Sequence, residues 1–215
     1  MSVSKEEILR ALEGMRANSE ERGFKQAVDL IINLKELDLR RPENRVNLNV
    51  NLPHGTGREQ GVCVFATGDL ALRARRAGVD LVVDQDQLRE LSSNRKEAKK
   101  LLSKYDIFLA EASLMPTVGR VAGPILGPKG KMPTPVPPNA PIEQVIERQK
   151  KIVLVRSRDK PLIQLSVGTE DMDEKNLSEN IEAVLSALIG GLKRGIGNIR
   201  SVYVKTSMGE PVRLK

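Results

Sequence analysis

The sequence predicts an α/β (α+β) protein of two domains: a discontinuous two-layer α/β sandwich built from both chain ends, and a three-layer α/β domain inserted into it. Three observations carry this prediction. Val46, Leu48, Val50 and Leu52 alternate with Asn47, Asn49 and Asn51, the period of a half-buried antiparallel strand. From Gly61 onward the strands become short and apolar throughout and are separated by helical stretches, the pattern of βαβ units in a parallel sheet covered on both faces. At Leu162–Val167 the alternation returns, so the first architecture resumes after an insertion.

Each element has its own warrant. Ser4 with Glu7 makes a capping box, and Ile8, Leu9, Leu12 and Met15 follow on one helical face. Residues 24–37 read mainly as a strand, and Arg40–Asn44 turns the chain into the alternating strand. After a hinge-like Pro53–Gly57 come apolar strands at Val62–Ala66, Leu81–Val83 and Ile107–Ala110, with helices at Leu70–Ala77, Gln85–Leu91 and Arg95–Tyr105. Helices at Ser113–Gly119 and Ile142–Lys150 complete a Rossmann-like insert. Asp173 opens a helix striped by Leu177, Ile181, Val184, Leu185, Leu188 and Ile189, which Gly190-Gly191 ends. Strands at Ile199–Lys205 and Val212–Leu214 close the chain. The expected domains are residues 1–57 with 157–215, and 58–156. Two connections at one point make a hinge, so motion between the domains is expected.

The 215 residues suffice for one large or two small domains, and 40% hydrophobic with 29% charged content is that of a soluble globular protein. Lys and Arg outnumber Asp and Glu by 35 to 28, a surplus of +7 that suits a polyanionic partner and also suits solubility. Aromatics are 2%, with no Trp, which argues against reading single strands by base stacking; an RNA partner would be a folded stem or junction. Cys63 and His54 are the only Cys and His, so no internal disulfide or Cys/His zinc site can be built, and no Ser/His/Asp set is expected. Within its apolar run Cys63 reads as a buried small hydrophobe. No apolar run is long enough to span a bilayer and the N-terminal residues are too charged for a secretory signal, so a cytosolic protein without a membrane partner is expected.

Candidate chemistry is sparse. Thr67-Gly68-Asp69 lies where a dinucleotide fold places its glycine fingerprint, but GxGxxG is absent and a helix cap is the expected role. Residues 119–138, GRVAGPILGPKGKMPTPVPP, belong to a stretch (Pro116–Pro141) that holds eight of the twelve prolines, so no regular helix or strand is expected through them. An ordered loop of this length charged only by Arg120, Lys129 and Lys131 reads as functional, with a stiff connector as the plain alternative. It is not a phosphate loop: Ile125 stands where the first glycine should be, and Met132 where a hydroxyl should bind Mg²⁺. No cofactor or metal is expected. Arg73, Arg75, Arg76, Arg95, Lys96, Lys99 and Lys100 read as solvated helix faces. Thr206-Ser207-Met208-Gly209 joins hydroxyls, a flexible apolar side chain and a glycine; it is either a tight turn or a ligand contact.

Several runs occur together and in order: PHGTG, TGDLA, LMPTVGRVAGPILGPKGKMPTPVP, RSRDKPLIQLSVG and SVYVKTSMGEPV. On these the chain resembles the large-subunit ribosomal protein L-one family in its archaeal form, over nearly its whole length. The resemblance implies a cytoplasmic ribosomal protein, not an enzyme and monomeric when free. Such a protein binds large-subunit rRNA to form the mobile stalk near the exit site, contacts deacylated exit-site tRNA and helps its release. It also implies repression of translation through the protein's own mRNA. By position it implies RNA contacts at Phe24, Asp29, Asp159, Lys160, Gln164, Thr206, Ser207, Met208 and Gly209. Ala27 departs from a hydroxyl residue, Ser207 from threonine and Glu210 from proline; the last puts a carboxylate near the RNA surface. Arg120, Lys129 and Lys131 are then a second RNA contact or an interdomain dock. Two rivals make different predictions: a small-molecule enzyme would be stabilised by nucleotides, and a protein scaffold would bind its partner independently of salt.

Overall fold

The computed structural model describes residues 4–20, 22–157 and 159–214; Glu21 and Arg158, the latter within the RSRDK run, lie outside the described residues. The chain begins with α1 (Lys5–Ala17), whose Ser4 hydroxyl accepts the Glu7 N–H at 3.2 Å while the Glu7 carboxylate accepts the Ser4 N–H at 2.8 Å. This capping box satisfies two donors that the helix itself leaves unpaired. Ile8, Ala11, Leu12 and Met15 are buried. Then come β1 (Ala27–Leu34) and β2 (Asn47–Asn51). The insert follows as β3 (Val62–Phe65), α2 (Gly68–Arg76), β4 (Leu81–Val83), α3 (Gln85–Ser93), α4 (Arg95–Leu102), β5 (Ile107–Glu111), α5 (Met115–Val121), α6 (Gly123–Leu126), β6 (Thr134–Val136) and α7 (Ile142–Lys150). The chain returns through β7 (Ile152–Arg156), β8 (Leu162–Thr169), α8 (Glu174–Gly191), β9 (Ile199–Thr206) and β10 (Val212–Arg213).

These elements form two compact units, residues 1–58 with 151–215 and residues 59–150. In the first, β10, β9, β1 and β8 lie side by side in that order, all antiparallel, with α1 and α8 packed on one face. β2 and β7 form a separate antiparallel pair whose Val50 and Val155 join the same core. The pairing puts Ile152–Arg156 in this unit, so the chain leaves the insert at 150/151 and not at 156/157. The run Ile152–Val155 looks uniformly apolar in sequence, yet Leu154 faces outward and only Val155 is fully buried. Loop 53–57 is held by Asn180 of α8, which is fully buried: its amide donates to the Gly55 and Val167 carbonyls at 2.8 and 2.9 Å and accepts the His54 N–H at 3.1 Å. Gly57 there has φ +65°, and a Cβ would fall 2.7 Å from Thr169 Oγ1, so only glycine suits this position.

In the second unit the strands run parallel in the order β4, β3, β5, β6. Cys63, Phe65, Phe108 and Ala110 face one apolar cluster, with α3 to α6, and Val62, Val64 and Leu109 face another, with α2 and α7. One expectation is corrected here and one refined. Regular structure does run through residues 119–138, as the end of α5, all of α6 and β6. Pro124 sits in the first turn of α6, where a missing N–H costs no helical bond, and Pro135 lies on an edge strand. Thr67 is the N-cap residue of α2, as the sequence predicts, but its side chain makes no capping hydrogen bond. Its hydroxyl and N–H both donate to Glu111 Oε2 at 3.0 Å, while Ser113 donates to Oε1 at 2.6 Å. The Ser113 hydroxyl first, then the Thr67 N–H, hold the Glu111 carboxyl below its usual range.

Candidate nucleic-acid interface

The first unit, residues 1–58 with 151–215 and called the outer unit below, keeps one sheet face free of helices among the described residues, and alternation along β1 decides what that face carries. Val28, Leu30, Ile32 and Leu34 point into the core, leaving Ala27, Asp29, Ile31 and Asn33 half-buried on the other side. The register sets Ser166, Asp29 and Lys205 in one cross-strand row, and Gln164, Ile31, Tyr203 and Arg213 in the next. Asn33 donates to Ser201 Oγ at 2.9 Å. Burial pushes the Asp29 carboxyl above its ordinary value, and the opposing Lys205 charge pulls it partly back. The face is therefore a mixed polar surface built on a rigid sheet.

The turn after β9 closes one end of this face. All three of its amides point inward. Ser207 N–H donates to the Ala27 carbonyl at 3.0 Å, Met208 N–H to Gln26 Oε1 at 3.1 Å, and Gly209 N–H to Thr206 Oγ1 at 3.1 Å. The Ser207 hydroxyl accepts the Ala27 N–H at 3.2 Å and so satisfies the first amide of β1. Thr206 is 1% exposed, and its hydroxyl also meets Ser19 Oγ at 3.1 Å. It builds the turn from within. The glycine at 209 answers an internal need: a Cβ there would overlap Thr206 Oγ1. What the turn shows outward is the Met208 side chain, 63% exposed.

Phe24 is likewise exposed, at 55%, an unusual state for a phenylalanine on a folded domain. Asp159 and Lys160 are exposed just before β8, and Gln164 is exposed on it. These positions, together with Asp29 and residues 206–209, all belong to the outer unit. Arg120, Lys129 and Lys131 belong to the insert. Arg120 and Lys129 are exposed, but the Lys131 ammonium is engaged by Asp106 Oδ1 at 2.8 Å and the Tyr105 carbonyl at 3.1 Å. Sequence reasoning missed Gln26 and Ser19. A signal for Gln26 was present: it falls in phase with Val28, Leu30, Ile32 and Leu34, a polar residue in the inward register.

A basic two-layer unit with an open polar sheet face, interrupted by a fully covered parallel unit, is the architecture of a ribosomal protein class. The chain belongs to the Ribosomal protein L1p/L10e family, which it matches over residues 15–210. Over 98% of its length it is 51% identical to the large ribosomal subunit protein uL1 of Methanothrix thermoacetophila, covering 99% of that protein. It is 47% identical to the proteins of the same name from Methanothermococcus thermolithotrophicus, over 99% of this chain and all of that one, and Pyrococcus horikoshii, over 100% and 98%. The chain is thus a structural protein of the cytoplasmic ribosome and not an enzyme.

Proposed function

We propose that the chain is a constituent of the large ribosomal subunit and binds large-subunit rRNA through the open face and the 206–209 turn of its outer unit. The observation that carries this reading is the turn with its three amides tied inward and Met208 held outside. Such a turn offers an apolar side chain and withholds its amide donors, which suits the sugar edges of a folded RNA; phosphates need donors. Donors for phosphate are provided by Lys160 and Arg213, both exposed. Phe24 gives one stacking platform, in keeping with a junction and not an extended single strand. Asp29, opposite Lys205, and Gln164 supply acceptors.

In the subunit this protein forms the mobile stalk beside the exit site and assists the release of deacylated tRNA. A messenger that copies the fold of the ribosomal site presents the same sugar edges to the same face, so the protein represses translation of its own mRNA. Arg120 and Lys129 make a second RNA contact on the insert, and Lys131 braces the loop beneath them. Filter binding to in-vitro-transcribed large-subunit rRNA of Methanothrix thermoacetophila, at two salt concentrations, tests the reading. The expected result is salt-sensitive binding that Met208→Ala weakens by about 1–3 kcal/mol. Salt-independent binding, or full affinity in Met208→Ala, would overturn it.

A further inference from the structure

Gln26 is 1% exposed and stands at the entry to β1, and every polar atom of its side chain is engaged. Its Oε1 accepts the Met208 N–H at 3.1 Å. Its Nε2 donates to Ser19 Oγ and to the Glu20 carbonyl, both at 3.2 Å. Its backbone exchanges two bonds with Glu170, whose Oε1 accepts the Gln26 N–H at 2.8 Å and whose own N–H donates to the Gln26 carbonyl at 3.0 Å. One buried residue, through its side-chain amide and its backbone, thus ties the segment after α1, the start of β1, the turn after β8 and the turn after β9. Ser19 closes the ring by meeting Thr206 Oγ1.

Among these anchors the Met208 bond differs from the rest. The amides on either side of it bond to groups fixed by the sheet or the turn: the Ala27 carbonyl for Ser207, and the Thr206 carbonyl and hydroxyl for Gly209. Met208 alone has its amide held by a side chain from another element. Without that acceptor, a half-buried N–H would turn toward water or the partner, and the methionine would rotate with it. We propose that Gln26 is a positioning residue: it fixes the direction in which Met208 is presented to RNA and keeps the turn free of outward donors. Gln26 itself touches no RNA. The proposal rests on the reading of the 206–209 turn as an RNA contact.

The test is a double-substitution cycle in the full chain, with the same rRNA transcript as probe: wild type, Gln26→Met, Met208→Ala and the pair. Gln26→Met keeps the length of the side chain and removes its amide. The expected result is a loss of affinity of about threefold to tenfold from Gln26→Met. In the paired variant no further loss should appear beyond that of Met208→Ala. The slope of affinity against salt should stay at its wild-type value, since no phosphate contact is removed. Amide exchange at Met208 should also accelerate in Gln26→Met while that of Val28 and Leu30 does not. A purely structural role predicts losses that add in the pair, and that outcome, or full affinity in Gln26→Met, overturns the proposal. Full affinity in Met208→Ala overturns the reading of the turn instead, and this inference with it. If Gln26→Met does not fold, Ser19→Ala, which removes one anchor of the Gln26 amide, takes its place in the same cycle with the same outcomes.

Discussion

The molecule holds two four-stranded sheets, and they differ in what they leave exposed. In the insert the strands are parallel, every crossover lays a helix on a face, and apolar clusters cover both sides. Its polar groups are largely engaged at home: Thr67 and Ser113 on Glu111, Lys131 on Asp106, Arg73 on Asp69 at 2.9 Å. In the outer unit the strands are antiparallel, two helices cover one face, and Asp29, Gln164, Tyr203 and Lys205 remain on the other. The type of sheet decides where recognition can be built. A sheet wrapped on both sides can only offer its loops, whereas a sheet wrapped on one side offers a rigid array of side chains.

That contrast is sharpest within β1, where neighbours face opposite ways. Ile32→Ala, inside the core, should destabilise the outer unit by about 2–5 kcal/mol, and Ile31→Ala, on the open face, by about 1 kcal/mol or less. Denaturant titration of the two variants reads the difference, and equal losses would mean the open face is covered. Next in size is Gly209→Val. Its side chain would crowd Thr206, so rRNA affinity should fall by about 1–3 kcal/mol in filter binding while most of the stability in denaturant is retained.

The insert has its own probe in Cys63, whose thiol burial pushes up to about 12 from an ordinary 9.0. The native state thus favours the neutral thiol. The stability this contributes is complete below the ordinary thiol pKa and is lost as pH rises from there toward the folded value. Wild type should lose about 1 kcal/mol per pH unit relative to Cys63→Ala above pH ~9, by denaturant titration. A flat difference would mean the thiol is not sealed in. The smallest effect is expected on the solvated side of α4. Arg95→Glu or Lys99→Glu should change rRNA affinity by about 0.5 kcal/mol or less. A loss equal to that of Met208→Ala would move the interface to the insert.

Much of this arrangement could be read from local pattern. The Asn47, Asn49 and Asn51 alternation marked β2, Ser4 with Glu7 marked the start of α1, and Ile142–Lys150 is the helix the periodicity predicts. Each of those signals lies within a few residues of its consequence. β6 was hidden because proline normally argues against a strand, and only its edge position makes Pro135 tolerable. Gln26 was hidden for the opposite reason. Its partner Met208 is 182 residues away, and nothing local shows that the turn needs an acceptor there. The resemblance pointed to residues 206–209 as a contact, but not to Thr206 as an inward group.

The same separation governs how the protein is made. β1 leaves the synthesising ribosome early, yet both strands that flank it, β8 and β9, come from beyond the insert. Residues 59–150 contain every strand of their own sheet and can fold while the rest is still being translated. β1, the strand between β8 and β9, must wait, unpaired, until the residues beyond the insert have been made. A nascent chain therefore cannot assemble the open face until β8 and β9 have followed the insert.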